Sequence, residues 1–277
     1  VEQFYEPDQL GAALKDFDAV VVRSKTKVRA NHIDEAKTGK LKLIIRGGVG
    51  VDNIDVKYAE SCGITVKNTP RASSQSVAEL AMGHMFSCAR YLSIAGHTMR
   101  EDKWEKKAYG KGIELQGKTL GIVGFGRIGQ HLGVMAKAIG MKVIAFDIFH
   151  IPGIEEQLCI PYVEMDELLA QADFVSVHAP AVDGGALISA ENIAKMKDGV
   201  VIINTSRGTN VDEAALLAAL ESGKVRAAGL DVYADEPATN KALYSHPMVS
   251  CTPHIGAATV EAQKRIGSEI VDIIKNF

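Results

Sequence analysis

Cysteine is scarce in this chain of 277 residues: Cys62, Cys88, Cys159 and Cys251 stand far apart and form no CxxC pair. That spacing argues against a disulfide framework and a thiolate zinc site, and it favours a reduced, cytoplasmic compartment. No metal is expected. No apolar run reaches the roughly 18 residues that a membrane-spanning helix needs, so no membrane contact is expected. The first residue is Val1 and no signal-peptide pattern follows it. Neither sign of charge dominates, with 31 Lys and Arg against 34 Asp and Glu and a net charge of −3. No basic stripe marks a nucleic-acid surface. The G-x-S-x-G elbow of α/β hydrolases is absent, as are solenoid repeats and low-complexity tracts.

What is present is core-forming material: 47% of residues are apolar and 23% charged, enough for one large or two ordinary domains. Short β-branched runs alternate with amphipathic stretches. "DAVVVRS", "LKLIIRGG", "GITVKNTP", "KTLGIVGFG", "MKVIAFD", "DFVSVHAP", "GVVIINTS" and "AAGLDVY" read as strands that are apolar on both faces, the mark of parallel strands covered by helices. Helices are expected over 74–90, 128–138, 165–170 and 211–221. The pattern predicts an α/β fold with a doubly wound parallel sheet. A boundary is expected near "KNTPRASS", where Pro70 restricts the residue before it and serines offer helix caps, with Ser76 and Glu79 as one capping box. The helix that follows carries so little charge before Arg90 that it belongs between layers or at a subunit interface.

In "KTLGIVGFGRIGQHLGVMAKAIGMKVIAFD", Gly124, Gly126 and Gly129 spell G-x-G-x-x-G between a strand and a helix, and a second strand ends in Asp147. Gly124 suits a tight turn, Gly126 a close approach to a pyrophosphate, and Gly129 close helix–strand packing. The helix N-terminus favours phosphate. Asp147 would accept ribose hydroxyls and repel a 2′-phosphate, which points to NAD. The plainer alternative is a tight βα turn with no ligand.

Ligands of open parallel sheets bind beyond the carboxyl ends of the strands. There the sequence places His178, Ala179 and Pro180, then Thr205, Ser206 and Arg207, then Asp231, and later His254 behind a proline. A guanidinium at Arg207 could grip the carboxylate or keto oxygen of an anionic substrate; alternatively it caps the strand end by pairing with Asp212 or Asp231. His254 suits proton exchange, and Glu236 is its natural carboxylate partner; alternatively it is a satisfied loop histidine. His178 reads as a pocket-lining residue. His32, His84, His97, His131, His150 and His246 have no chemical context.

"GFGRIG", "HAP", "NTSRG", "DVYADEP" and "TPHIGAAT" occur in the order seen in the D-2-hydroxyacid dehydrogenases, which the chain resembles over nearly its whole length. Among these NAD-linked enzymes, "IIRGGVGVDNID" and "NTPRASSQSVAEL" resemble most the phosphoglycerate dehydrogenase branch. The resemblance implies a Rossmann-type cofactor domain over 70–253 and a smaller flavodoxin-like substrate domain over 1–69, to which 254–277 returns. The family's first strand and helix are not found before "VEQFYEPDQL"; they are expected to lie outside this sequence, the alternative being a shortened substrate domain. The resemblance implies Arg207, Glu236 and His254 as the catalytic set. Cofactor contacts would come from Val49, Gly124, Gly126, Arg127, Ile128, Gly129, Asp147, His178, Ala179, Pro180, Thr205, Ser206, Arg207, Asp231, His254, Gly256 and Ala257. Substrate contacts would come from Arg23, Arg46, Gly47, Gly48 and Val49 together with Arg207 and His254, with Arg23 and Arg46 facing a phosphate; alternatively these two are paired surface charges. The expected reaction is hydride transfer between NAD and C2 of a small anionic 2-hydroxy or 2-keto acid, foremost 3-phosphoglycerate. A glyoxylate, hydroxypyruvate or D-lactate-type reductase is one alternative, and a non-enzymatic NAD-sensing corepressor-like protein another. The resemblance further implies a homodimer through the cofactor domain. "HAPAVDGGALIS" departs from the family in being one residue shorter. Trp104, the only tryptophan, reads as a packed anchor or as part of a segment folding over a neighbouring cleft.

Overall fold

The protein is seen here in a computed structural model that describes residues 5–182 and 184–277. Asp183, within "HAPAVDGGALIS", lies outside the described residues. The chain forms two compact units: residues up to Ser73 together with Ala257–Phe277, and Ser74–Gly256. The boundaries expected at Thr69 and Pro253 fall a few residues earlier than these.

The first unit runs α1 (Pro7–Leu14), β1 (Ala19–Val22), α2 (Ala30–Ala36), β2 (Leu43–Arg46), α3 (Val56–Ser61) and β3 (Thr65–Asn68). Its three strands pair in parallel in the order β1-β2-β3, with Val22 opposite Arg46 and Arg46 opposite Asn68. Val22, Ile33, Ile44, Ile54 and Ile64 form its core.

The second unit begins with α4 (Ser74–Arg90) and α5 (Leu92–Arg100), followed by β4 (Thr119–Val123), α6 (Arg127–Ala138), β5 (Lys142–Phe146), α7 (Ile154–Leu158), α8 (Met165–Gln171) and β6 (Phe174–Val177). It continues through α9 (Ala190–Lys195), β7 (Val200–Asn204), α10 (Glu213–Ser222), β8 (Val225–Leu230), α11 (Lys241–Tyr244) and β9 (Val249–Cys251). A last helix, α12 (Val260–Lys275), belongs to the first unit.

All six strands of the second unit are parallel, in the order β5-β4-β6-β7-β8-β9, so the chain reverses direction across the sheet between β4 and β6. Alternate residues of β7 serve two cores. Val200 and Ile202 face one cluster with Leu168 and Leu216, while Val201 and Ile203 face the other with Met85 and Phe125. This is why the run is apolar throughout. Burying such a side chain contributes about 1.5–3 kcal/mol, so the strands are a fixed platform for the polar rim at their carboxyl ends.

Three local expectations change. Residues 208–210 form a 3-10 turn, and α10 starts later than expected because Asp212 accepts from the amides of Ala214 and Ala215 as its cap. Helix α4 already begins at Ser74, so Ser76 is a buried helical residue and not a capping one. Strand β9 was not anticipated. Among the described residues, no helix is long and apolar enough to cross a membrane.

Candidate active site

Ligands of such sheets sit at the point where strand order reverses, here the carboxyl ends of β4 and β6. Gly124 follows β4 with φ of +95°, a backbone conformation that favours glycine. A Cβ on it would stand 2.6 Å from the amide nitrogen of Ala179, just after β6. A Cβ at Gly129 would lie 2.4 Å from the Gly124 carbonyl oxygen, so α6 could not pack so closely on the turn. Around Gly126 a Cβ would meet nothing within 4 Å: that face of the loop is open. Arg127 and Ile128 form the first turn of α6, whose leading amides have no partner within the helix. The Asp147 carboxylate accepts from the amide of Phe125 at 2.7 Å and from that of Phe149 at 3.0 Å, tying the end of β5 to the glycine turn.

On the same rim, Thr205 Oγ1 and His178 Nδ1 are covered and have no hydrogen-bond partner among the described residues. Buried donors and acceptors of this kind are costly unless something satisfies them. With the open Gly126 face and the α6 amides, they fit a dinucleotide. His178 Nε2 meets Ser176 Oγ at 2.8 Å, and burial pushes its pKa down to about 3. It stays neutral and lines the rim.

Beyond β7 the chain is clamped by two asparagines. Asn204 accepts from the amide and hydroxyl of Ser206 and donates to the Arg207 carbonyl at 2.8 Å. Asn210 donates to the carbonyls of Ala179 and Pro180 and to Ser206 Oγ. Gly208 lets this turn lie against the next loop, since a Cβ there would be 1.9 Å from the Tyr233 carbonyl carbon. Arg207 is thus carried on a braced turn, where its Nη1 donates to the Ser206 carbonyl at 2.7 Å. Of the nearby carboxylates, Asp212 caps α10, and Asp231 serves the loop after β9.

Asp231 is 1% exposed. Its Oδ1 accepts from Thr252 Oγ1 at 2.6 Å and from the Ile255 amide at 2.8 Å, and its Oδ2 accepts from the Gly256 amide at 2.8 Å. These bonds keep residues 254–256 with the second unit, whereas the sequence assigned them to the returning segment. The backbone joins successive strand ends: the Asp231 amide donates to the Asn204 carbonyl, and the His254 amide to the Asp231 carbonyl. His254 takes φ of +54°, in the left-handed region. Its Nδ1 lies 2.7 Å from Glu236 Oε2, with both side chains roughly half exposed. A carboxylate can only accept, so Nδ1 carries the proton and Nε2 is the atom left to exchange one.

The other residues expected to meet substrate, besides Arg207 and His254, lie in the first unit. Arg46 Nη1 donates to the Gly47 carbonyl at 2.7 Å and packs over Gly48, where a Cβ would fall 1.5 Å from that nitrogen. Arg23 Nη1 donates to Gln263 Oε1 at 2.6 Å. The amides of Gly47 and Gly48 donate to the carbonyls of Val22 and Arg46. Val49 is 38% exposed, and the Ala257 carbonyl accepts from Gln263. Sequence reasoning missed Asn204, Gly208, Asn210 and Thr252. The crowding of Asn, Thr and Gly around Arg207 was the one signal available.

Residues 82–256 match the model of the D-isomer specific 2-hydroxyacid dehydrogenase family, NAD binding domain. The chain is 51% identical to a hydroxypyruvate reductase of Thermotoga maritima, over 97% of this chain and 87% of that protein. It is 43% identical to a D-3-phosphoglycerate dehydrogenase of Mycobacterium tuberculosis, over 97% of this chain but only 50% of that one, so it spans about half the length of such relatives. Among solved structures, a glyoxylate reductase from Paecilomyes thermophila is similar with a TM-score of 0.89 and 34% identity, covering 97% of this chain and 83% of that one.

Proposed function

Since the chain belongs to the D-isomer specific 2-hydroxyacid dehydrogenases, NAD-dependent enzymes, we propose that it reduces a small 2-keto acid of the hydroxypyruvate or glyoxylate kind, and oxidises the matching 2-hydroxy acid in reverse. The observation that carries the catalytic part is the 2.7 Å His254–Glu236 pair on the rim that also bears Arg207. When bound, the cofactor would supply the redox chemistry, NADH giving a hydride to C2 of the keto acid and NAD⁺ taking one from C2 of the hydroxy acid. The open Gly126 face, Arg127, Ile128 and Asp147 hold the dinucleotide, with Thr205, Ser206, Ala179 and Pro180 along its path. Arg207 orients the substrate through paired hydrogen bonds to carboxylate and carbonyl oxygen. His254 Nε2 gives its proton to the forming alkoxide or takes it from the hydroxyl, and Glu236 steadies the imidazolium in that step.

The likeness to the hydroxypyruvate reductase supports the small substrate. So does the engagement of Arg46 and Arg23 with Gly47 and Gln263 inside the first unit. Because the Gly47 and Gly48 amides are engaged there too, the carboxylate contact expected of this loop narrows to Val49. A second reading, 3-phosphoglycerate oxidation, is supported by the likeness to D-3-phosphoglycerate dehydrogenase and by both arginines standing at the ends of the paired strands β1 and β2. A substrate panel followed at the NADH absorbance band tests the choice. Hydroxypyruvate or glyoxylate should give kcat/KM at least about tenfold above 3-phosphoglycerate. The reverse order, together with Arg23→Ala and Arg46→Ala harming only the phosphorylated substrate, would reject the small-substrate reading in favour of the second.

A homodimer through the second unit belongs to the same proposal. Leu92, Met99 and Trp104 are exposed in one stretch, Trp104 at 78%, and apolar patches of this kind mark contact surfaces. Sedimentation at micromolar concentration should give a dimer, and Trp104→Glu should shift it toward monomer; a wild-type monomer rejects this.

A further inference from the structure

His84 is the one buried histidine of α4, 3% exposed, and it has no place in the chemistry above. Its surroundings are fitted to it. A Cβ on Gly229 of β8 would lie 2.6 Å from the His84 Cβ, so glycine there admits the ring. The ring spans two hydroxyls of the next strand and its exit: Nδ1 is 3.0 Å from Ser250 Oγ and Nε2 is 3.1 Å from Thr252 Oγ1. Burial lowers its pKa, with Asp231 pulling the other way, so the ring is neutral with one donor and one acceptor.

Counting protons then fixes every direction. Asp231 Oδ1 is 2.6 Å from Thr252 Oγ1, and a carboxylate only accepts, so the single hydroxyl proton of Thr252 goes there. Thr252 must therefore accept at its other side, and Nε2–H of His84 is the donor. Nδ1 is left as an acceptor, filled by the Ser250 hydroxyl. The chain Ser250→His84→Thr252→Asp231 runs one way, and bonds aligned in this manner polarise and strengthen one another. It ends on the carboxylate that receives the Ile255 and Gly256 amides and whose own carbonyl receives the His254 amide. His254 adopts its left-handed backbone at this end, a conformation that non-glycine residues keep only when their surroundings impose it.

We propose that His84 is a positioning residue for His254, acting through Thr252 and Asp231 to hold the 252–256 loop in the geometry that keeps Nδ1 on Glu236. This rests on reading His254 as the proton-exchanging group. His84→Leu keeps the bulk of the side chain and removes both hydrogen bonds, whereas His84→Gln offers one donor and one acceptor again. In the intact chain, His84→Leu should lower kcat about tenfold or more, with NADH affinity within about twofold of wild type, and His84→Gln should return kcat to within about threefold. A packing role alone would not split kcat from cofactor affinity, nor be rescued by a polar residue. A Leu variant within about twofold of wild-type kcat overturns the proposal, as does equal loss in the Leu and Gln variants. If His84→Leu does not fold, Thr252→Val decides by the same measures. His254→Ala is assayed alongside: should it retain turnover, the acid–base reading itself fails; should it be inactive while His84→Leu is intact, only the relay fails.

Discussion

His254→Ala is expected to lower kcat about 10²–10⁴-fold, the range that general acid–base help supplies, while NADH still binds with near wild-type affinity. At about 1.36 kcal/mol per decade, that is about 2.7–5.4 kcal/mol of transition-state stabilisation. The split follows from where the side chain stands. Its ring is roughly half exposed and touches Glu236, so its removal opens no cavity in either core of the second unit. The dinucleotide turn is built from β4, α6 and β5, and it is Asp147, not the His254 side chain, that ties it together. Glu236→Gln should cost less, about tenfold, because an amide oxygen can still accept from Nδ1 although it no longer balances the imidazolium charge. Stopped-flow reduction of the keto acid with titrated NADH fluorescence measures both quantities. Turnover in His254→Ala within a few-fold of wild type would remove this residue from the mechanism.

The platform was far easier to read than the rim. Runs such as Val200–Ile203 are apolar on both sides because two cores press on the sheet, and that signal is local. Strand β9 has only three residues and ends on the exposed Cys251, too short and too mixed a stretch to register. The roles given to Gly124 and Gly129 agree with the close approaches found there, since a strand–turn–helix implies them locally. Gly208 was read past because its reason, the Tyr233 backbone, arrives a strand later. His84 was set aside for a similar cause: its partners Ser250 and Thr252 are 166 and 168 residues away. Arg46 shows a third limit. Its spacing put it correctly at a strand end, but only Gly48, lacking a Cβ, lets the guanidinium lie back over its own loop.

Gly208→Ala should be nearly as damaging as loss of His254, although alanine adds a single methyl group to a residue that touches no substrate. The new Cβ would fall 1.9 Å from both the carbonyl carbon and the carbonyl oxygen of Tyr233 and 2.5 Å from the amide nitrogen of Ala234. All three are backbone atoms, so no rotamer relieves the clash and one loop must move. The Tyr233 side is held, because its hydroxyl donates to the carbonyls of Leu230 and Thr252, and the Ala234 amide donates to Glu213. The 205–210 turn is held as well, by Asn204 and Asn210. Overpacking of this kind costs about 1–3 kcal/mol, which a domain of this size survives with a melting temperature lowered by several degrees. Activity is more sensitive, since a displacement of about 1 Å at an orienting residue can cost about 10²-fold, and Arg207 is the immediate neighbour. The expected result is a folded protein that binds NADH and has kcat/KM reduced about 10²-fold, most of it as weakened handling of the keto acid. A variant as active as wild type would mean that the turn relaxes without moving Arg207, and that the arginine does not orient the substrate from this position.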